Sequence, residues 1–147
     1  MRIWGTVFLI AVLSASAFSE AETVAQLVDR AKASPIDRQP GIYIRAAQQQ
    51  LKLASQLYND GKPDEAAAGL NDMVAYSDYA SDTATKSRKH VKNVEIDLRK
   101  MSEKLRDIKR TLNFEDQPPV QVAMDHLENL RTNLLGLMFG KEKEKKK

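Results

Sequence analysis

Cysteine is absent from the 147-residue chain, and glycine and proline are scarce, with six and five copies. Without cysteine there is no disulfide, no Cys-ligated zinc, no c-type haem attachment and no lipobox for a lipid anchor. The scattered glycines form neither a phosphate-binding loop nor a G-x-S-x-G nucleophile motif. We therefore expect a protein that is not an enzyme and that carries no cofactor.

The N-terminus has the pattern of a secretory signal peptide. Arg2 precedes an apolar run over residues 3–13, and Ala15-Ser16-Ala17 supplies small residues for cleavage. The run is short for a membrane span of about 20 residues. We expect cleavage after Ala17, with Ala21 as the alternative site and an uncleaved anchor as a second alternative. The mature protein is then exported, periplasmic or secreted, without a transmembrane helix.

Apolar periodicity predicts two helices in the first half of the mature chain. The first covers residues 23–33 and stops at Ser34-Pro35, since a residue before proline avoids the helical conformation. The second runs from about Ile42 to Asn59 with a broad apolar face. The turn Asp60-Gly61-Lys62-Pro63 follows, with glycine as a left-handed cap and proline at the start of the next helix.

A heptad repeat predicts a long third helix. Small or apolar residues recur at alternating steps of 3 and 4, which is the a/d pattern of about six heptads. No proline or glycine interrupts the repeat, so we expect one helix of about 48 residues, on the order of 70 Å long. Its first half is small and its second half is bulky. The seam residues are Leu70, Met73, Ser77, Ala80, Ala84, Ser87, Val91, Val94, Leu98, Met101, Leu105, Ile108 and Leu112.

A fourth helix is predicted from about Pro118 to Phe139, with Gly140 as its C-cap. The predicted organisation is one helical domain over residues 18–140, followed by a disordered basic tail over residues 141–147. The apolar stripe of the fourth helix again steps by 3 and 4. Its members are Val120, Ala123, Leu127, Leu130, Leu134 and Leu137.

The helix lengths predict an all-α fold of elongated antiparallel hairpins built on the long central helix. The second helix should lie along the small half of the third helix, and the fourth should fold back along the bulky half. The first helix should cover the second near the first corner, over Tyr76 or Tyr79. A thin distal hairpin would gain stability from a second copy, so a homodimer is one expected assembly.

Residues 50–73 resemble one tetratricopeptide repeat. Leu53, Ala54, Leu57, Gly61 and Ala66 fall in step with that motif. Gln50, Met73 and Asp78 depart from it, since the family prefers tryptophan, a small residue and a closing proline there. Repeat arrays need three or more units to bury a core, and only one is found. The resemblance implies an αα-hairpin with repeat-like packing.

Few residues suit metal or acid–base chemistry. Neither His90 nor His126 has the Glu-x-x-His spacing of a bundle carboxylate site, because Ser87 and Ala123 stand three residues before them. The methionines suit core filling better than haem ligation. Acids in the second half of the chain have cations three or four residues away, as on a solvated helix face. The expected pairs are Glu95–Arg99, Asp97–Lys100, Glu103–Arg106 and Asp107–Arg110.

Charge is distributed unevenly along the third helix. Residues 61–85 hold one lysine against five acids, whereas residues 86–110 hold ten cations against four acids. This predicts a helix that is acidic at one end and basic at the other, with a possible anionic-partner patch at the densest basic run. The patch residues are Lys86, Arg88, Lys89 and Lys92. Lipid head groups, cell-wall polymers or an acidic protein would suit it. Nucleic acid is disfavoured by export and by the lack of interleaved aromatics.

The segment LNFEDQPPVQ at residues 112–121 predicts a structural corner. Phe114 is expected to close the end of the core, and Asp116 or Gln117 to cap the next helix. Pro118 and Pro119 suit the first turn of that helix. The alternative is an exposed tip, formed by Phe114 and the two acids, that a partner grips.

Taken together, these patterns favour an exported, non-catalytic helical protein that acts as an envelope scaffold, adaptor or protein-interaction module. A periplasmic holdase-type chaperone is the first alternative, by analogy alone. Binding of an anionic lipid or cell-wall surface through the basic half of the third helix is the second alternative.

Overall fold

The computed structural model describes residues 22–144, with side chains as far as residue 140, and all its regular elements are helices. Five α-helices follow one another: α1 (Val24–Ala33), α2 (Gln39–Asn59), α3 (Pro63–Ser87), α4 (Val91–Thr111) and α5 (Gln117–Glu144). A short 3₁₀ turn, Phe114–Asp116, precedes α5. The predicted all-α class is confirmed. The predicted signal peptide and its cleavage sites lie outside the described residues.

Helix α1 begins with a capping box and packs on α2. The Thr23 hydroxyl accepts a hydrogen bond from the Gln26 backbone at 3.2 Å, and the Gln26 side chain accepts one from the Thr23 backbone at 2.9 Å. Leu27 and Ala31 are fully buried on the face toward α2. Helix α1 covers α2, as expected. Tyr79 of α3, one of the two residues expected beneath α1, lies against Tyr43 of α2 with ring centroids 5.3 Å apart.

Helices α2 and α3 form a tight antiparallel hairpin. Gly61 takes a φ of 74° at the corner, which suits a residue without a Cβ, and Pro63 opens α3. A Cβ added at Gly69 would lie 3.6 Å from the Ala54 Cβ, so the two backbones approach closely there. This close approach follows from the small size of Gly69 and Ala54.

The predicted single helix of about 48 residues is wrong, because the chain turns back at Arg88–His90. Arg88 and His90 both adopt left-handed backbone conformations, with φ of 58° and 61°. The Ser87 hydroxyl donates to the Thr83 carbonyl at 2.7 Å and accepts from the Lys89 backbone at 3.2 Å, which ends α3. The second half of α3 is rich in serine and threonine, whose hydroxyls compete with helix hydrogen bonds.

The α4–α5 hairpin therefore packs on the α2–α3 hairpin instead of extending away from it. Helix α4 runs beside α2 in the same direction: His90 lies near Gly41, and Lys104 lies near Gln56. Helix α5 runs beside α3 in the same direction as α3, and the side chains of Asp78 and His126 form a hydrogen bond between the two helices. The elongated shape expected from a long central helix is thus replaced by a four-helix arrangement.

The predicted core survives this change of topology. Folding back turns the seam residues of α3 and α4 toward one shared interior. There the apolar side chains of all the packed helices are removed from water together. Among the seam residues, only those where the chain turns are half-buried, namely Ser87, Val91 and Leu112. The fully buried seam side chains are Leu70, Met73, Ser77, Ala80, Ala84, Val94, Leu98 and Leu105, within about 1% exposure.

The corner before α5 is confirmed as a turn, but one assigned role is wrong. Phe114 is 86% exposed and does not close the core. The 3₁₀ turn points its ring outward, while Gln117 donates a side-chain hydrogen bond to the Leu112 carbonyl at 3.1 Å. Pro118 and Pro119 follow in the first turn of α5 as expected.

Helix α5 also extends beyond its predicted end. It runs through Gly140 to Glu144, so Gly140 is not a C-cap and the first four residues of the predicted tail are helical. Within residues 22–144, no helix combines the length and apolar character needed to span a membrane.

Candidate functional site

Charge is separated between the two sides of the bundle. Helix α2 carries two cations and no acid, and α4 carries seven cations and four acids, giving a joint charge of +5. Helix α3 carries one cation and five acids, and α5 to Gly140 carries one cation and two acids, giving −5. The charge gradient predicted along one helix is therefore folded into a basic α2–α4 side and an acidic α3–α5 side.

An open groove runs between α2 and α4 on the basic side. Its central part has a volume of about 460 Å³. Leu51 and Met101 form an apolar floor and are only 4% and 3% exposed. Gln48, Ser55 and Gln56 of α2 and Lys52, Lys100 and Lys104 add a polar rim. We call this feature the α2–α4 groove.

The three lysines of the rim are exposed and form no ion pair with another described residue. No carboxylate among the described residues lies within 4.0 Å of Lys52, Lys100 or Lys104. Three like charges around an apolar floor repel one another and create a local positive potential. An anionic group entering the groove would relieve that repulsion while its apolar part covered Leu51 and Met101.

The groove continues toward the α3–α4 turn and adjoins a second depression across α2. Toward the α3–α4 turn it is bounded by Arg45, His90 and Asp97, with a volume of about 430 Å³. Burial raises the pKa of Asp97 above its ordinary value, although Lys100 acts in the opposite direction. On the other side of α2 a second trough of about 570 Å³ adjoins it, where Leu53 is 47% exposed and Lys52 is shared.

The predicted anionic-partner patch lies at the end of the bundle. Lys86 is exposed and pairs with Asp82 at 2.8 Å. Arg88 and Lys89 are exposed in the α3–α4 turn, and Lys92 is exposed in the first turn of α4. None of the four lines the α2–α4 groove, although His90, which lies among them, borders its end.

The α3–α5 side has a different character. His126 Nε2 lies 2.6 Å from an oxygen of Asp78, joining α5 to α3. Beside this pair a groove of about 410 Å³ is lined mainly by small and apolar residues, including Val74 and Val122. Val122 is 68% exposed, and Pro118 and Pro119 are exposed next to it.

One acid expected on a solvated face is instead buried. Glu95 is 6% exposed and accepts two hydrogen bonds from Arg131 of α5, at 2.9 and 3.1 Å. Arg131 also donates to Glu128 at 2.7 Å. Burial alone would lower the pKa of Arg131, but its hydrogen bonds to the two carboxylates outweigh burial and raise it.

The expected pair Glu95–Arg99 is therefore wrong, because Glu95 turns toward α5. The pair Asp107–Arg110 is observed at 3.7 Å. Neither Asp97–Lys100 nor Glu103–Arg106 comes within 4.0 Å in the part of the chain that the structure describes. The sequence signal missed at Glu95 is its position one residue after the seam residue Val94, on the α5 side of α4.

Residues 22–140 bring together no group of three or more histidine and acidic side chains that could hold a metal ion. His90 lies at the end of the α2–α4 groove and His126 on the α3–α5 side, so the two histidines belong to different surfaces.

Lys52, Lys100 and Lys104 are the site residues that reasoning from the sequence missed. A signal for them exists: α2 has no acidic residue, and Lys100 and Lys104 fall on one helical stripe with Asn93 and Asp97. Lys52 of α2 and the two lysines of α4 come together only because the chain turns at residues 88–90. The uninterrupted heptad pattern conceals that turn.

Comparison of the chain with protein-family models, curated proteins and solved structures finds no match in any of the three. The resemblance of residues 50–73 to a tetratricopeptide repeat stays a prediction, although the αα-hairpin it implies is present as α2–α3.

Proposed function

We propose that the protein is a non-catalytic interaction module whose α2–α4 groove binds an acidic, amphipathic helical segment of a partner protein. The observation that carries the proposal is the set of Lys52, Lys100 and Lys104, which pair with no described carboxylate, around the apolar floor of Leu51 and Met101. Such a groove matches a helix with leucine-type residues on one face and carboxylates along its edges.

The dimensions of the groove support a helix as its occupant. It follows α2 from Gly41 to Gln56, a length of roughly 22 Å at 1.5 Å per residue, or about four helical turns. A helix of that length presents three or four apolar anchors at i, i+3, i+4 and i+7 spacing. The exposed Leu53 beside Lys52 offers a further apolar contact at the groove edge.

A protein segment fits this groove better than a lipid surface does. A membrane presents a broad plane, which would meet the protruding cations of the α3–α4 turn before it reached a recessed floor. The floor residues Leu51 and Met101 are only 4% and 3% exposed, so a narrow ligand is needed to contact them. We also propose that the protein is exported and acts in the envelope. The N-terminal sequence pattern supports this part of the proposal.

The test measures binding of a synthetic helical peptide with leucines on one face and glutamates on both flanks. The groove variant carries Lys100→Glu and Lys104→Glu. The matched control carries Lys89→Glu and Lys92→Glu, which makes the same charge change on exposed residues outside the groove. We expect the groove variant to weaken binding by about tenfold or more and the control by only about two- to threefold, through long-range charge.

Equal losses in the two variants would contradict the proposal, because they would show that net charge alone governs binding. Vesicles of phosphatidylserine and phosphatidylcholine separate the lipid alternative. Vesicle binding that falls equally in both variants, together with no peptide binding by the unaltered protein, would favour an anionic surface as the target.

A holdase-type chaperone is the second candidate, and the exposed apolar residues on the α3–α5 side favour it. Phe114 and Val122 are 86% and 68% exposed, and the neighbouring groove is mostly apolar. If this surface holds unfolded chains, Val122→Ser should reduce suppression of client aggregation, whereas the variant Lys100→Glu with Lys104→Glu should retain it. The opposite ranking would assign client binding to the α2–α4 groove.

A further inference from the structure

The turn between α3 and α4 places two residues other than glycine in the left-handed region. Arg88 and His90 have φ of 58° and 61°, a region that L side chains avoid because the Cβ crowds the neighbouring carbonyl. The segment Lys86–Lys92 has neither glycine nor proline, the residues that normally end helices and shape tight corners. The turn is short and strained, and its sequence is compatible with a helix.

The helical register also continues across the turn. Ala84, Ser87, Val91 and Val94 keep the alternating 3 and 4 spacing, so a straight helix would place all four on one face. Ala84 and Val94 are buried in the folded-back structure, at 0% and 1% exposure. The same core-facing stripe therefore serves a bent chain and a straight one.

A straight α3–α4 helix would carry the α4–α5 hairpin away from its own α2–α3 hairpin. The surface left behind would include Ile44 and Leu51 of α2, which are 4% exposed in the closed structure. Its natural cover is a second α4–α5 hairpin, because the complementary residues are already selected for that contact.

We propose that two copies of this chain exchange their α4–α5 hairpins, with α3 and α4 joined into one straight helix in each copy. Every contact between hairpins is then kept, and only the Arg88–His90 turn changes. Strained, short hinges are the setting in which such swapping is least costly.

Exchange would make the α2–α4 groove a site shared by two copies. Lys52 would come from one copy, and Lys100 and Lys104 would come from the other. Each dimer would hold two such grooves. The proposal rests on the turn and the core, so it stands or falls independently of what the groove binds.

The test compares two variants with the same change in charge. One carries Arg88→Ala, Lys89→Ala and His90→Ala, which favours a continuous helix. The other carries Arg88→Gly, Lys89→Ala and His90→Gly, which relieves the left-handed positions and weakens a straight helix. We expect the dimer dissociation constant of the alanine variant to be lower than that of the glycine variant by about a hundredfold or more. The strain of alanine in the left-handed turn and its preference for a straight helix both favour the dimer, and both act in each of the two chains.

Mass is measured by light scattering after unfolding and refolding at high protein concentration, with the unaltered protein alongside. A second readout distinguishes exchange from simple association. Because the chain has no cysteine, Ser55→Cys and Lys104→Cys can be spin-labelled in separate samples, mixed and refolded. Exchange places the two labels across one groove, at separations below about 25 Å.

Dimers of the unaltered protein and the alanine variant with the short separation between labels, together with a monomeric glycine variant, would support the exchange. Monomers in all three proteins would overturn it. So would a dimer confined to the alanine variant, equal dimerisation of the two variants, or dimers whose labels stay far apart.

Discussion

The α2–α4 side and the α3–α5 side of the bundle each pair two parallel helices, but they use charge differently. On the α3–α5 side, Asp78 and His126 lie 2.6 Å apart across the interface. On the α2–α4 side, Lys52, Lys100 and Lys104 surround a groove without an ion pair among the described residues. A partner carboxylate gains most where a cation is not already compensated, which is why we propose the basic side as the docking surface.

The largest expected effect comes from the ion pair that joins the two sides. In Arg131→Met, Glu95 keeps its buried position without its cation, so the free energy of unfolding should fall by about 2–4 kcal/mol. Urea denaturation measures the loss. Adding Glu95→Gln to Arg131→Met should restore part of it, because the buried group is then neutral. A loss below about 0.5 kcal/mol would show that water reaches Glu95.

The pair Asp78–His126 should be worth much less, since its side chains are 47% and 40% exposed. A double-mutant cycle with Asp78→Asn and His126→Gln should give a coupling energy of about 0.2–1 kcal/mol. A coupling as large as that of Glu95–Arg131 would mean that the α3–α5 interface, and not the shared core, fixes the position of α5.

Asp97, the acid at the end of the α2–α4 groove, should slightly destabilise the protein at neutral pH. Its folded pKa is raised by burial, so the protonated form fits the fold better and ionisation costs stability as pH rises through that pKa. Asp97→Asn should therefore gain a few tenths of a kcal/mol at pH 7, after solvent screening. The gain should disappear below the ordinary aspartate pKa of about 3.9. Denaturation curves at both pH values check this sign, and a gain that grows at low pH would contradict it.

Phe114→Ser should change stability least. Its ring is 86% exposed, so replacement falls within about 0.5 kcal/mol of zero. Leu112→Ser is the control at the same corner, since Leu112 is half-buried against the core and should cost more. A large loss for Phe114→Ser would return the ring to the core-closing role that the sequence suggests.

Local chemistry predicted most of the fold, because each feature depends on neighbours in sequence. Gly61 and Pro63 marked the first corner, Ser34-Pro35 ended α1, and the heptad seam identified buried positions such as Leu98. The turn at Arg88–His90 was not predictable in the same way. It arises because packing of the two hairpins on each other outweighs the local preference for a continuous helix.

The candidate site depends on that one turn. Lys100 and Lys104 belong to a basic stretch that the sequence shows clearly, but their proximity to Lys52 follows only when α4 runs beside α2. The patch at Lys86, Arg88, Lys89 and Lys92 was chosen by density along the chain, and the structure places it at the end of the bundle instead. Linear charge density therefore identified the basic region without locating its groove.

The most direct test of the account is the distance between α2 and α4 within one chain. Ser55→Cys and Lys104→Cys, spin-labelled in a single chain that is isolated as the monomer and diluted with unlabelled protein, should give a separation below about 25 Å, since both residues line one groove. A continuous helix without exchange would place residue 104 roughly 37 residues beyond the position opposite residue 55, or about 55 Å away. Short distances within monomers would support the folded-back bundle, and distances near about 55 Å within monomers would contradict it.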